Sequence, residues 1–196
     1  MRIVAGRFRG RSLAAPEDGS TRPTSDRVRE AIFNVLAHGI SDFRLDGARV
    51  LDLFAGTGAL GLEALSRGAG YCLFIEDDPR ARALVRENVE AFGLTGITRV
   101  WRRDATRLGP ANMRERFDLV FLDPPYGKGL GEKALVAARD GGWLEPDALV
   151  VLEEQSGTSI AWPEHFQVFD EREWGGTQIS LARFVHESGP TQEASA

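Results

Sequence analysis

Two stretches of the 196-residue chain combine residue types and spacings that could do chemistry. The first is Asp52-Leu53-Phe54-Ala55-Gly56-Thr57-Gly58-Ala59-Leu60-Gly61, which spells G-x-G-x-x-G, with Glu76 placed 20 residues after Gly56. Glycines let a backbone pass close to a ligand, and a carboxylate at that distance can accept hydrogen bonds from a ribose diol. Any adenosine-bearing cofactor could use such a loop, NAD included. Asp52, four residues before Gly56, favours one of them. A carboxylate at the mouth of the loop repels a pyrophosphate. It suits a ligand bearing an ammonium and a sulfonium, the methionine portion of S-adenosylmethionine. Asp104, a third acid, is placed to accept a hydrogen bond from an adenine amino group. Each acid alone is an ordinary cap or turn residue; their joint spacing carries the weight.

The second stretch is Asp123-Pro124-Pro125-Tyr126. Proline has a fixed φ and no N–H, so the segment is stiff and offers mainly acceptors. Asp123 and the Pro124 carbonyl can grip both hydrogens of an exocyclic amine. Tyr126 offers a flat face for base stacking, which contributes about 1–3 kcal/mol at other stacked bases. A nucleobase amine is a poor nucleophile because its lone pair is delocalised into the ring. Accepting both N–H bonds favours a more tetrahedral nitrogen, so catalysis becomes placement plus hydrogen bonding.

These residues need a scaffold, and short β-rich runs alternate with helical patterns from about residue 48 onward. The expected strands are 49–54, 71–76, 97–102, 117–122 and 149–153, with helices over 58–67, 80–92 and 131–139 between them. Runs such as VLDLF and LVVLE show little polar alternation, as strands covered on both faces should. Strand–helix alternation of this kind implies a parallel α/β sheet with right-handed crossovers. Two further runs, 167–173 and 177–184, flank Trp174-Gly175-Gly176 and read as an antiparallel hairpin at one edge. Upstream, Val28, Ala31, Ile32, Val35 and Leu36 fall on one stripe of a helix over 24–38, which Gly39 ends. Residues 2–13 read as a short strand or hairpin bending at Gly6 and Gly10. The polar, small-residue end, from about Glu187, reads as disordered.

Composition narrows the class. With 42% hydrophobic and 27% charged residues the chain is globular, and at this length roughly 70% of the unfolded surface can be buried. No apolar run is long enough for a transmembrane helix, and the basic opening reads as no secretory signal. A single cysteine, Cys72, excludes a disulfide framework and fits a reducing cytoplasm. The net charge of −5 is unevenly spread. Residues 1–29 hold seven arginines against Glu17, Asp18 and Asp26, a net +4, leaving −9 on the rest. A basic arm on an acidic body is expected where one face meets phosphates.

Together these features resemble the RsmD-type bacterial 16S rRNA guanine-N2 methyltransferases, within the class I S-adenosylmethionine-dependent family. The resemblance rests on Gly6-Arg7-Phe8-Arg9-Gly10-Arg11, on Arg22-Pro23-Thr24-Ser25-Asp26-Arg27-Val28-Arg29-Glu30, on the glycine loop with Glu63-Ala64-Leu65-Ser66-Arg67, and on Asp123 to Tyr126. It implies a Rossmann-like, mostly parallel seven-stranded sheet with an antiparallel C-terminal hairpin. It implies that Asp52, Ala55, Gly56 and Gly58 surround the methionyl part of S-adenosylmethionine, Glu76 the ribose, and Asp104 with Ala105 the adenine. Thr24 and Arg27 would close over the cofactor. Asp123, Pro124, Pro125 and Tyr126 would hold a flipped guanine, and Arg7, Arg9 and Arg11 would meet RNA phosphates.

The expected organisation is a basic arm and helix over 1–39, a methyltransferase domain over 40–185 and a disordered tail over 186–196. The expected partner is 16S ribosomal RNA in the small subunit, with no metal, no membrane and a monomeric protein. Three alternatives stand beside this reading: an N6-adenine methyltransferase on RNA or DNA, an NAD-dependent oxidoreductase, and a non-catalytic ribosome-assembly factor.

Overall fold

The computed structural model describes residues 1–16, 26–112 and 115–185. Seven strands form one sheet: β1 (Arg49–Leu53), β2 (Tyr71–Ile75), β3 (Thr98–Trp101), β4 (Phe117–Leu122), β5 (Leu144–Gln155), β6 (Phe166–Trp174) and β7 (Thr177–Phe184). Their spatial order is β3-β2-β1-β4-β5-β7-β6. The first five are mutually parallel, and β7 runs antiparallel to both β5 and β6. This is the expected mixed sheet with its hairpin at one edge.

Two buried clusters lie on the sheet's two faces, which is why the central strands are apolar at nearly every position. Val50, Phe74, Leu119, Phe121 and Val151 face one way. They are covered by the helices α1 (Asp26–His38), α2 (Ala59–Ser66) and α3 (Pro79–Ala91). Leu51, Leu53, Ile75, Leu122 and Leu152 face the other way, under α4 (Leu130–Asp140) and the short turn Ala105–Arg107. Helix α1 forms because its apolar positions share a stripe: Val28, Ile32, Phe33, Val35 and Leu36 are buried. Each such side chain contributes about 1.5–3 kcal/mol relative to exposure. Phe33 meets Phe121 of the sheet at 5.6 Å between ring centroids.

Several boundaries shift by a residue, and two strand starts differ for a definite reason. The run at 97–102 begins with a 3-10 turn, Thr95–Ile97, and the strand starts at Thr98, whose hydroxyl donates to the Leu94 carbonyl. β5 begins five residues earlier than its apolar run suggests: Leu144 pairs with Phe117, the register then shifts, and Asp147 takes φ 63°. The polar Glu145-Pro146-Asp147 bulge hides that first pairing from any apolar pattern. Thr24 and the tail from residue 186 lie outside the described residues.

Residues 1–14 form a hairpin, bridged at Arg2 and Ser12, with Ile3 donating to the Arg11 carbonyl at 2.9 Å. It is fastened to the helices by buried side chains. Glu63 of α2, fully buried, accepts from Val4 N–H at 2.8 Å and Ala5 N–H at 3.0 Å while pairing with Arg67 at 2.7 Å. The buried Asn88 of α3 accepts from Ala14 N–H and donates to the carbonyls of Ala14 and Thr57. Arg29, also fully buried, donates to the Arg2 carbonyl and to Asp26.

Where α2 meets the sheet, a Cβ on Gly61 would lie 2.5 Å from Phe74 Cε1 and 2.6 Å from Cys72 Sγ. Helix and strand therefore touch at backbone distance. We expect Gly61→Ala to destabilise the fold by about 1–3 kcal/mol through overpacking, despite alanine's better helix propensity. Urea denaturation of the two proteins measures the difference.

Candidate active site

In the parallel strands, Leu53, Ile75, Trp101, Leu122 and Leu152 are in register across the sheet. The residues that follow them, Phe54, Glu76, Arg102, Asp123 and Glu153, therefore stand side by side, the first four leaving the sheet and Glu153 still paired with β7. With neighbouring strands about 4.8 Å apart, the row from Glu76 to Glu153 spans roughly 15 Å. Ligands of open α/β sheets bind beyond this carboxyl edge.

After β1 the chain turns sharply. Phe54 has φ 60°, Gly56 φ 57° and Gly58 φ 79°, so a phenylalanine occupies a left-handed conformation that strains a non-glycine residue by about 1–3 kcal/mol. The turn is held by Ala55 N–H on the Ile75 carbonyl at 3.1 Å, and by Gly58 N–H on the Ala55 carbonyl at 2.7 Å. Glu76 supports it from β2: one carboxylate oxygen accepts from Gly56 N–H at 2.9 Å, the other from Asp78 N–H at 2.9 Å. Burial raises the Glu76 carboxyl above its ordinary range, against these two hydrogen bonds.

Asp52 lies inside β1, not beyond its end, and is 2% exposed. It accepts from Gly61 N–H at 3.0 Å and so ties strand to helix. Burial pushes its carboxyl from 3.8 up to about 8, with Glu76 adding a smaller rise. Asp104 is its opposite. Exposed, it caps the Ala105–Arg107 turn by accepting from the Thr106 amide at 2.8 Å and hydroxyl at 2.7 Å. The Thr106 hydroxyl holds it below its ordinary range. Ala105 beside it is buried.

The segment after β4 stands next to the glycine loop because β4 is β1's neighbour. Asp123 is half-buried, Pro124 buried, Pro125 exposed and Tyr126 half-buried. The Tyr126 hydroxyl donates to Glu153 at 2.6 Å, and Gly127 N–H donates to Glu154 at 2.9 Å. Both glutamates are 4% exposed. Sequence reasoning missed this pair. The available signal was Leu152-Glu153-Glu154: two acids ending a buried strand at the edge where the other acids end theirs.

The predicted contact residues at the amino end fall elsewhere. Arg27 is exposed on the first turn of α1. Arg7, Arg9 and Arg11 are exposed on the hairpin. Arg7 N–H donates to the Ser66 carbonyl at the end of α2, and Arg11 donates to the Ala91 carbonyl at the end of α3 at 2.6 Å. Arg11 also lies 4.2 Å over the Phe92 ring, and Arg7 4.4 Å over Phe8. Arg7 and Arg11 sit at helix carboxyl ends, where the macrodipole favours cations. An eight-residue α2 puts its carboxyl end, and Arg7 with it, about 12 Å from the glycine loop.

The cleft fits one kind of cofactor. A Cβ on Gly56 would meet nothing nearer than the Phe54 carbonyl at 4.0 Å, so the space over the loop is open to a ligand lying on the backbone. Residues 54–61 hold no basic side chain, Glu76 and Asp104 follow the neighbouring strands β2 and β3, and Asp52 is buried behind the loop. A loop lined by acids and lacking basic side chains suits a cationic donor and not a pyrophosphate. Among the described residues no group of three His, Cys, Asp or Glu is placed to hold a metal ion, and no helix is long and apolar enough to cross a membrane.

The antiparallel β7 inserted beside β5, with a glycine loop after β1 and acids at the ends of β2 and β3, defines the class I S-adenosylmethionine-dependent methyltransferase fold. The chain belongs to the family described as Conserved hypothetical protein 95, whose model matches residues 1–183. It is 41% identical over 155 residues to the Ribosomal RNA small subunit methyltransferase D of Escherichia coli (strain K12), a match covering 79% of this chain and 75% of that one. The solved structure of the Escherichia coli yhhF protein is 34% identical and superposes with a TM-score of 0.79, over 94% of this chain and 98% of that one. An RNA methyltransferase from Salinibacter ruber, in complex with S-adenosyl-L-homocysteine, shares the fold at 16% identity and a TM-score of 0.62, over 86% and 97% of the two chains.

The raised Asp52 carboxyl gives stability a pH dependence. A group whose folded-state value lies above its unfolded value stabilises the fold at low pH, and that contribution is lost as pH rises through the folded value. The expected loss runs from about pH 4 to about pH 8. Urea unfolding across that range measures it. Asp52→Asn keeps an oxygen for Gly61 N–H and is expected to flatten the slope.

Proposed function

We propose that this protein transfers a methyl group from S-adenosylmethionine to the exocyclic N2 of a guanine in 16S ribosomal RNA, on an assembled or assembling small subunit in the cytoplasm. The observation that carries this reading is the adjacency of two edges. The acceptor-rich Asp123–Tyr126 lip leaves β4 beside the glycine loop that leaves β1, with Leu53 and Leu122 in register. The similarity to a small-subunit rRNA methyltransferase supports the substrate class, and the resemblance of the Asp123 motif supports guanine over adenine.

Ala55, Gly56, Gly58, Glu76, Asp104 and Ala105 would hold the cofactor, with Asp52 tying the glycine loop's helix to β1 from behind; the cofactor supplies an electrophilic methyl on a sulfonium. The target base must leave its stack to reach the lip. Asp123 and the Pro124 carbonyl accept the two amine hydrogens, turning the nitrogen lone pair outward. Tyr126 stacks under the ring. As the new bond forms, the nitrogen becomes more acidic and Asp123 is placed to receive the proton, so no stronger base is needed. The hairpin arginines then extend the RNA contact along the hairpin to the far ends of α2 and α3, where backbone phosphates are the fitting partners.

Methyl transfer assayed on small-subunit particles, on free RNA and on DNA, with the methylated base mapped, tests the reading. N2-methylguanine in the particle sustains it; N6-methyladenine in any substrate, or no transfer at all, overturns it. Asp123→Ala is expected to lower kcat by about 10²-fold or more while calorimetric S-adenosylmethionine affinity stays within a few-fold. Replacing Arg7, Arg9 and Arg11 with glutamine is expected to weaken particle binding. It should also flatten the dependence of log affinity on log salt by up to about one unit of slope per lost phosphate contact, read by binding titrations at several ionic strengths.

A further inference from the structure

Tyr126 is fixed from outside its own loop. Its hydroxyl donates to Glu153 at 2.6 Å, and the Thr177 side chain faces the same phenol. Glu153 ends the apolar part of β5 and Thr177 opens β7, and both are buried, at 4% and 6% exposure. Register explains the convergence. Leu122 pairs with Leu152, so Asp123 and Glu153 are neighbours. Glu153 pairs with Ile179 across the antiparallel ladder, and Gln155 with Thr177, which brings the hairpin turn to this edge. Glu154 then takes Gly127 N–H, pinning the backbone just beyond the ring.

We propose that Glu153 is a positioning residue for the target base: with Thr177 it sets the plane of the Tyr126 ring, making the C-terminal hairpin part of the substrate site. This rests on the reading of Tyr126 as the stacking face. A phenol that donates to a buried carboxylate while a second buried side chain packs beside it has its hydroxyl direction fixed, and the ring with it. A ring so held gives an incoming purine one stacking plane without a loss of side-chain freedom at binding. The carboxylate is the stronger anchor because a charge-assisted hydrogen bond is about twice as strong as a neutral one.

The chain has two tyrosines, which makes a direct test available. In a Tyr71→Phe background the alkaline ultraviolet titration reports Tyr126 alone. The groups facing its hydroxyl are Glu153 from β5, Thr177 from β7 and Asp123 from its own loop. Glu153→Gln is expected to shift the phenol titration to lower pH, because a neutral acceptor no longer opposes the phenolate. An unshifted titration overturns the tie.

In methylation kinetics Glu153→Leu is expected to lower kcat/KM for the RNA particle by about tenfold to a hundredfold, with S-adenosylmethionine affinity unchanged. Glu153→Gln, which still accepts from the phenol, should recover most of that loss. A Tyr126→Phe change added to Glu153→Leu should cost little more than either alone. Additive losses, or wild-type kcat/KM in Glu153→Leu, overturn the positioning role. Loss of cofactor binding in Glu153→Leu together with wild-type kinetics in Glu153→Gln also overturns it. The titration needs no RNA, so a wild-type protein that fails to methylate any guanine removes the proposed function and leaves the Glu153 tie separately decided.

Discussion

The register of five parallel strands is the constraint on which the site depends. Because Leu53, Ile75, Trp101, Leu122 and Leu152 are aligned, every strand delivers its next residue to the same line. Chemistry collected from residues 54, 76, 123 and 153 becomes a single cleft. A slip of one residue in any pairing would turn that strand's following side chain to the opposite face. Such a slip is resisted by the central strands, which are apolar at nearly every position and bury both faces, since it would also exchange the contents of the two cores. Catalytic placement is thus inherited from hydrophobic packing.

Around that line, acidic groups are sorted by their surroundings. Asp52 is sealed beneath α2 and raised toward neutrality, Glu76 is half-buried with both oxygens on backbone amides, and Asp104 stands in solvent with its charge stabilised by Thr106. Three carboxyls of nearly the same intrinsic strength therefore present different charge to the cleft. Glu153 and Glu154 act at the other side of the row, holding the lip by its phenol and by its backbone.

The sheet was legible because the strand cores VLDLF, DLVFL and LVVLE are short, apolar and spaced by helical stripes. The glycine loop was legible because only glycine takes Gly58's conformation without strain. What the sequence concealed was interrupted periodicity or long-range pairing. Glu145-Pro146-Asp147 broke the apolar run, so the start of β5 at Leu144 could not be read. The basic opening showed its charge but not that Arg7 and Arg11 sit on the ends of α2 and α3. Asp52 looked like a residue at a mouth, since its type and spacing say nothing of the helix that covers it. Glu153 makes its contact with Tyr126, 27 residues distant; the Leu152-Glu153-Glu154 run marks the acids but not their partner.

The hairpin of residues 1–14 docks through Glu63, Ser66 and Asn88, partners made roughly 60 to 75 positions later. During synthesis, which proceeds from the amino end, the first residues must wait for α2 and then α3 before their amides find acceptors. The oldest part of the chain is thus among the last to settle. Met1 is tied in at the same late stage, its carbonyl accepting from Leu13 and its sulfur meeting Thr57 at 3.5 Å.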